Sequence, residues 1–345
     1  MQPIKRVPGY SLLRVIACIA VVILHLFASA NILFKDQITD AQRLGGNIIV
    51  NCMMWAVPCF VMVTGALLLD RRREITYQKI FKKYIPRILG ALIVFGELFA
   101  IFDMVMDTKG FHIDKVLEGF YKIFTGTGWS HLWYLYLLIG LYLLLPFYRK
   151  IAKLSSEKDL KYLLGIYVFF ISILPLTQLF GVKSGFYIHV STIYPCYLFL
   201  GYALAKGRIK LSKVVASVIT AVGAAGIIIA TICKVKFQTE QIEMLYGYSS
   251  IFVILMAAGV FYLIYKVKIN TRSMLWKCVE CIDECSFGIY ILHMVLVRLI
   301  LRYWNVNPYA GNAVLKFAGL LIVIFAISFA VTWCLRKIPG VKKIL

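Results

Sequence analysis

An arginine and a histidine interrupt the first long apolar stretch of the chain, which reads LLRVIACIAVVILH from Leu12 to His25. Arg14 and His25 are eleven residues apart, which is close to three turns of an α-helix. Both side chains therefore leave the same helix face, about 16 Å apart along the axis. Ionisable groups at membrane depth are costly and usually face a bundle interior or a wet cavity. The pair predicts a polar groove inside a membrane protein.

The two residue types indicate what such a groove would do. Near neutral pH an imidazole takes a proton from a hydroxyl and later returns it, and it can also be acylated itself. A guanidinium holds an anionic group through forked hydrogen bonds. The spacing thus predicts an anionic ligand near Arg14 and proton chemistry near His25. An alternative remains open at this point, in which Arg14 extends to the membrane interface and His25 only packs.

The composition defines the elements that must position this pair. The chain has 345 residues, of which 61% are hydrophobic and 16% are charged, whereas soluble domains are about half apolar and about a quarter charged. About ten windows are long and apolar enough to cross a membrane. The sequence predicts an all-α polytopic membrane protein with one integral membrane domain over residues 1–345. The predicted spans are 11–33, 46–69, 85–105, 132–148, 161–180, 189–205, 214–232, 247–265, 286–303 and 312–335.

The net charge of +22 lies in short clusters between these spans rather than in one basic domain. With both termini inside, 27 of the 38 basic residues fall on the inner side or at inner helix ends. This asymmetry predicts an N-in, C-in topology in a bacterial cytoplasmic membrane, with membrane lipids rather than nucleic acid as partners. The outer connection 106–131 is rich in aromatic residues, and we expect it to lie in the membrane interface.

Other polar residues fall within or beside the spans. Glu97 lies inside the third span, where a carboxylate either orients His25, pairs with an arginine or anchors two helices. His131 opens the fourth span beside aromatic residues and is a candidate contact for an acceptor. No histidine pair has the i, i+4 spacing of a metal site, and Cys278, Cys281 and Cys285 lack a nearby fourth ligand, so no metal is predicted.

The chain resembles the membrane acyltransferase family called acyltransferase 3. That family has an arginine, ten residues and then a histidine in its first span, matched here by Arg14 and His25. Its second span contains an aromatic-rich segment that ends in Ser-Gly, and the matching stretch CFVMVTGALLL carries Thr64 and Gly65 there, which keeps the hydroxyl. Arg87 matches an arginine at the head of the third span. Three further stretches are similar to the family: RRREITYQKIFKKYIPRIL, HLWYLYLLIGLYLLLPF and SFGIYILHMVL.

The resemblance implies an enzyme that takes an acyl group, commonly acetyl, from cytoplasmic acyl-CoA. The acceptor would be a hydroxyl on an extracytoplasmic glycan, a small molecule or another envelope component. Many relatives carry an additional soluble esterase-like domain. We expect none here, so the protein would act alone or pass its acyl group to a separate envelope transferase or to polysaccharide synthesis machinery.

A mechanism follows as a hypothesis. His25 would act as general base or form an acyl-histidine, with Arg14 and Glu97 beside it. Cationic side chains would meet the CoA phosphates, and we expect these to be Arg14, Arg71, Arg72, Arg73, Lys82, Lys83 and Arg87. His131, Trp133 and Tyr134 would contact the acceptor. Donors for the oxyanion would come from Thr64, Trp133, Tyr134 and Tyr136.

The sequence leaves open both the acyl donor and the function. The donor is acetyl-CoA or succinyl-CoA. The protein is an acyltransferase, or a transporter or flippase for an envelope precursor, because both need a wet cavity with ionisable groups. A third possible function is that of a membrane module that only binds a small metabolite. Cleavage of a thioester distinguishes the enzyme from the other two.

Overall fold

The computed structural model describes residues 7–108, 110, 112–182 and 192–345, and all regular secondary structure within them is helical. Lys5, Arg6 and the start of the span predicted from residue 189 lie outside the described residues. The helices in chain order are α1 (Pro8–Leu33), α2 (Asp40–Cys52), α3 (Ala56–Leu68), α4 (Tyr77–Thr108), α5 (Ile113–Thr125), α6 (Trp133–Leu154), α7 (Glu157–Phe180), α8 (Tyr194–Ala205), α9 (Lys213–Phe237), α10 (Ile251–Tyr265), α11 (Met274–Tyr303), α12 (Ala313–Leu335) and α13 (Pro339–Lys342).

The all-α membrane architecture is confirmed. Eight helical segments in the described part of the chain are long and apolar enough to cross a membrane, and the shorter apolar helices α8 and α10 coincide with two further predicted spans. Several helix boundaries differ from the predicted spans, most clearly at the second and ninth spans. The second span is broken into α2 and α3 by a turn at residues 53–55, and α11 begins at Met274, twelve residues before the span predicted from 286. Polar residues extend this helix past its apolar part, so hydropathy alone truncates it.

The connection that we expected in the membrane interface contains α5. Its exposed apolar side chains include Leu117, Tyr121 and Phe124, the last of them 91% exposed. Glu118 forms ion pairs with the lysines three residues before and four residues after it on the same helix. One helix thus carries both an exposed apolar surface and an ion-paired polar one, which is the pattern of a segment lying along a membrane surface.

Several segments that the charge pattern assigns to one side of the membrane do meet at one end of the bundle, here called the basic end. Lys206 forms an ion pair with Asp70 at 2.5 Å, and the Arg71 side chain donates to the carbonyl of Lys153. Burial opposes the charged form of Asp70, but hydrogen bonds from Arg72 and Lys206 outweigh it and hold the pKa of this carboxyl well below its usual range. The loop after α3 is therefore fixed to the helices beside it.

Glycines allow α3 and α8 to pack with their backbones in contact. A Cβ on Gly65 would lie 1.9 Å from the carbonyl oxygen of Leu198, and one on Gly201 would lie 2.1 Å from that of Met62. Membrane helices associate through such small residues because lipid provides no hydrophobic drive between them. The contact fixes α3, and with it Thr64, against the interior of the bundle.

Candidate functional site

Helices α1 and α11 run parallel and are joined by three polar contacts at matching heights. Arg14 pairs with Asp283, the Cys18 thiol donates to the carbonyl of Ser286 at 3.6 Å, and His25 contacts His293. Asp283 and His293, the α11 partners of Arg14 and His25, are ten residues apart, nearly the spacing of Arg14 and His25 on α1. The predicted common face of Arg14 and His25 is therefore the face that α1 turns toward α11.

Arg14 is held by a bidentate ion pair. Its Nε and Nη2 donate to the two carboxylate oxygens of Asp283 at 2.6 and 2.7 Å. The Asp283 side chain is 1% exposed, whereas that of Arg14 is 25% exposed. Because the carboxylate balances its charge, Arg14 offers a ligand fixed hydrogen-bond donors rather than net positive charge.

His25 belongs to a cluster of three histidines. Its Nδ1 lies 2.9 Å from Nε2 of His293, and the ring of His131 is centred 6.3 Å from that of His25 and 5.7 Å from that of His293. His131 and His293 are 2% and 0% exposed, whereas His25 is partly exposed. Helices α1 and α11 each contribute one ring, and the third comes from the 3₁₀ turn Ser130–Leu132 just before α6.

The hydrogen bonds assign the tautomers of these rings in their neutral form. Nδ1 of His293 faces the carbonyl of Ile289 at 3.1 Å and must donate to it, so its Nε2 is left as an acceptor. His25 therefore donates from Nδ1 to His293, which leaves the lone pair of the His25 Nε2 for another group. That nitrogen makes no hydrogen bond within the described part of the chain, so it is placed to act as a base.

His131 carries a second lone pair. Its Nε2 faces the carbonyl of Ile291 at 3.1 Å and donates to it, so Nδ1 is the acceptor of this ring. That Nδ1 is buried and has no partner among the residues described. The Tyr290 hydroxyl donates to the backbone carbonyl of His131 and fixes the start of α6 against α11.

A cavity of about 940 Å³ extends from the basic end toward these histidines. Its wall includes Arg14 and also Val21, which is about 10 Å further along α1 and one turn before His25. At the end nearest the histidines, the cavity is lined by Tyr134 and Tyr290, whose rings are 5.6 Å apart. Tyr290 contacts the rings of both His131 and His293, with centroids 5.9 and 6.2 Å away. The histidines thus lie behind a tyrosine layer and do not line the cavity themselves.

This cavity, here called the first cavity, has a basic mouth. Six cationic side chains line it in addition to Arg14, namely Lys82, Lys83, Arg87, Arg336, Lys342 and Lys343. Lys82 and Lys83 lie in a π-helical turn of α4, Ile80–Tyr84, a distortion frequent at functional sites. Arg87 also donates to the backbone oxygen of Leu345, which holds the carboxyl-terminal segment at the mouth.

The arginine run after α3 lies elsewhere. Arg71, Arg72 and Arg73 are not among the residues that line the cavity. Arg72 pairs with Asp70 at 2.8 Å, and the backbone carbonyl of Arg73 accepts from Arg149. The geometry therefore gives no support to the expectation that this run meets a ligand in the cavity, because its side chains and backbone are engaged in fixing the loop.

Glu97 is buried on α4 but does not contact the histidines through hydrogen bonds. Its two carboxylate oxygens have no partner among the described residues. They lie near α5, where a Cβ on Gly119 would be 2.6 Å from Oε2. Neither an arginine nor His25 is bonded to Glu97, so its position between α4 and α5 favours an anchoring role over an orienting one.

The predicted oxyanion donors and acceptor contacts separate into two groups. Thr64 and Tyr134 line the first cavity, and the Tyr134 hydroxyl makes no hydrogen bond within the described residues. The Thr64 hydroxyl donates to the carbonyl of Phe60 at 2.9 Å, and that of Tyr136 donates to the carbonyl of Ile123 at 2.5 Å. Trp133 contacts the rings of Tyr134, Tyr194 and Tyr248 but does not line the first cavity. Tyr134 is thus the best placed donor of the four.

Sequence reasoning missed Asp283, the pairing role of His293 and three basic residues at the mouth. Asp283 precedes the apolar part of α11, so hydropathy predicts it in the loop before that span. One signal was present, because Asp283 and His293 repeat on α11 almost the spacing of Arg14 and His25 on α1. In the sequence, Arg336, Lys342 and Lys343 indicate only topology, although their position after the last span brings them back to the basic end.

The pairing yields a first prediction. Replacement of His293 by alanine removes the acceptor for the His25 Nδ1–H and frees the tautomer and orientation of His25. For the acyl transfer that the resemblance implies, we expect a fall of roughly 10- to 100-fold, less than on loss of His25 itself, because the base is retained. Turnover and the Michaelis constant for the acyl donor should be measured across pH. An unchanged pH profile with a raised Michaelis constant would contradict a positioning role.

These elements define a class of protein, a polytopic membrane protein with a basic-mouthed cavity that ends beneath a buried histidine cluster. Residues 7–333 match the acyltransferase 3 family, whose domain is described as an acyltransferase domain, and the chain belongs to that family. It is therefore a membrane acyltransferase. No curated protein and no solved structure matched the chain.

Proposed function

We propose that the protein transfers an acyl group, with acetyl as the leading candidate, from cytoplasmic acyl-CoA to a hydroxyl on the outer side of the membrane. The observation that carries this proposal is the continuity of the first cavity from its basic mouth to the tyrosine layer below His25. A phosphate-rich nucleotide matches the mouth, and an extended thiol arm matches the apolar interior. This assignment places the basic end in the cytoplasm, in accord with the charge asymmetry.

The CoA phosphates would meet Lys82, Lys83 and Arg87 on α4 together with the basic residues that follow α12. Lysine supplies point charge and arginine supplies forked hydrogen bonds to phosphate. Arg14 would hydrogen-bond the arm deeper in the cavity, because Asp283 fixes its guanidinium there. The thioester would then reach the level of Tyr134 and Tyr290.

The tautomers assigned to His25 and His293 define which nitrogen acts in the transfer step. The acceptor hydroxyl gives its proton to Nε2 of His25 as its oxygen attacks the thioester carbonyl carbon. The Tyr134 hydroxyl would donate to the resulting oxyanion. The C–S bond then breaks, the ester forms, and the CoA thiolate takes the proton from the His25 imidazolium. In the acyl-histidine variant the same Nε2 carries the acyl group, since Nδ1 is engaged by His293.

The mouth provides the test of this function. The double variant Lys82→Ala/Lys83→Ala is expected to weaken CoA binding by roughly tenfold at low salt, with a smaller difference from wild type at high salt, because phosphate pairing is screened. Binding of CoA and release of its thiol from acetyl-CoA or succinyl-CoA should be measured on protein in lipid nanodiscs. The matched control is Lys153→Ala/Lys158→Ala, which removes two exposed lysines that do not line the cavity.

Two outcomes would contradict the proposal. Equal losses in both double variants would show that overall charge, and not the mouth, attracts CoA. Movement of an envelope precursor by wild-type protein without thioester cleavage would instead support a flippase. A loss of acyl mass from envelope glycans in cells lacking the protein would identify the natural product.

A further inference from the structure

A second cavity of about 560 Å³ lies between α4, α5 and the start of α6. It contacts Asp103 and Asp107 near the carboxyl end of α4, whereas the first cavity contacts Lys82 and Lys83 near the amino end of the same helix. The two cavities therefore approach the bundle centre from opposite ends. Its volume is within the range of about 300–1,000 Å³ that is usual for small-molecule sites.

Rigid polar groups line this second cavity. Asp103 accepts hydrogen bonds from Nε1 of Trp129 at 2.7 Å and from the guanidinium of Arg298. The Arg298 guanidinium lies over the Trp129 ring, 4.3 Å from its centroid, and Phe99 stacks on the same ring at 4.6 Å. Trp129 therefore fixes Arg298 and Asp103, and a ligand meets a preset carboxylate and guanidinium. Asp103 Oδ1 is buried and has no partner in the described residues.

The charge of the second cavity is balanced. Three acidic and three basic side chains line it, namely Asp103, Asp107, Glu118, Lys115, Lys122 and Arg298. These side chains pair with one another or with neighbours, as in the contacts of Glu118 with both lysines. A balanced, hydrogen-bonding cavity favours a neutral polyhydroxy ligand over an anion, because an anion would meet no net positive charge.

The second cavity adjoins the histidine cluster. Trp129, Ser130 and Leu132 all line it, and they flank His131 in the chain. The ring of His131 is 5.9 Å from that of Trp129 and 6.3 Å from that of His25, measured between centroids. His131 Nδ1 and His25 Nε2 are two lone pairs without a hydrogen-bond donor in the described residues. Two adjacent hydroxyls of one ligand would supply both.

We propose that the second cavity binds the hydroxyl acceptor as a neutral sugar residue, held by Asp103 and Arg298, with neighbouring hydroxyls directed to His131 and His25. This inference rests on the proposed function. It places the donor cavity and the acceptor cavity on the two sides of the histidine cluster, with the thioester and the reacting hydroxyl meeting at His25.

The test uses protein in lipid nanodiscs and records CoA thiol release from the acyl-CoA that wild type turns over. N-acetylglucosamine and methyl glucoside are the neutral probes, and glucuronate is the anionic one. We expect neutral sugars to accelerate thiol release with saturation, and glucuronate to do so less. Asp103→Asn weakens charge-assisted hydrogen bonds and should raise the half-saturating sugar concentration about tenfold. Thr127→Trp, at an exposed position lining the cavity, should raise it at least as much by filling the space.

The control is Glu243→Gln, which removes one carboxylate of an ion pair with Lys234 that lies outside both cavities and should leave sugar stimulation unchanged. CoA affinity, measured separately, reports on folding and on the donor side. Sugar stimulation that survives in both Asp103→Asn and Thr127→Trp would overturn the assignment, as would thiol release by wild type that no neutral sugar accelerates. Failure of wild type to bind CoA and to release thiol would instead refute the proposed function.

Discussion

Replacement of His25 by alanine is expected to lower acyl transfer by roughly 10²- to 10⁴-fold, the usual contribution of a positioned general base. The expectation rests on the lone pair that the contact with His293 leaves on Nε2 of His25. CoA binding should be retained, because the cationic residues at the mouth of the first cavity lie at the other end of that cavity. Turnover with saturating acyl-CoA, together with CoA binding, should be measured on protein in lipid nanodiscs.

The matched control is His112→Ala, which removes an exposed histidine before α5 and should leave turnover unchanged. Retention of turnover in His25→Ala would eliminate both the general-base and the acyl-histidine forms of the mechanism. Accumulation of acylated wild-type protein after a short reaction, and its absence in His25→Ala, would select the covalent form.

The second large effect concerns Arg14 and Asp283. Arg14→Ala is expected to destabilise the protein by about 3–5 kcal/mol, because it removes the guanidinium that balances a carboxylate buried to 99% of its side-chain surface. The double variant Arg14→Gln/Asp283→Asn should restore most of that stability, since two neutral amides replace the ion pair. CoA affinity should stay reduced by roughly tenfold in the double variant, because the fixed donors into the cavity are lost.

Thermal unfolding and CoA binding should be measured for wild type, Arg14→Ala and the double variant. Together they distinguish a structural role of Arg14 from direct contact with the ligand. A double variant with wild-type CoA affinity would show that the ion pair only joins α1 to α11. Asp283→Asn alone provides the reference, because it retains Arg14 and adds its unbalanced charge to the cavity. We expect that single variant to bind CoA at least as tightly as wild type at low salt.

The sequence by itself determined the membrane class, the positions of most spans and the common face of Arg14 and His25. These properties depend on local patterns. A hydrocarbon layer demands apolar runs of a minimum length, and the helical repeat places residues eleven apart on one side. The family was also within reach of the sequence, since its motifs are short and ordered along the chain.

The tertiary structure alone decided the partners of those two residues. Arg14 meets Asp283 across 269 positions, and His25 meets His293 across 268, so no local pattern links them. It also showed that Arg336, Lys342 and Lys343 line the first cavity and that Arg71–Arg73 do not, and it placed His131 between two cavities. The physical reason is that side-chain pairing inside a bundle depends on which helices pack together, and hydropathy and periodicity define each helix without specifying its neighbours.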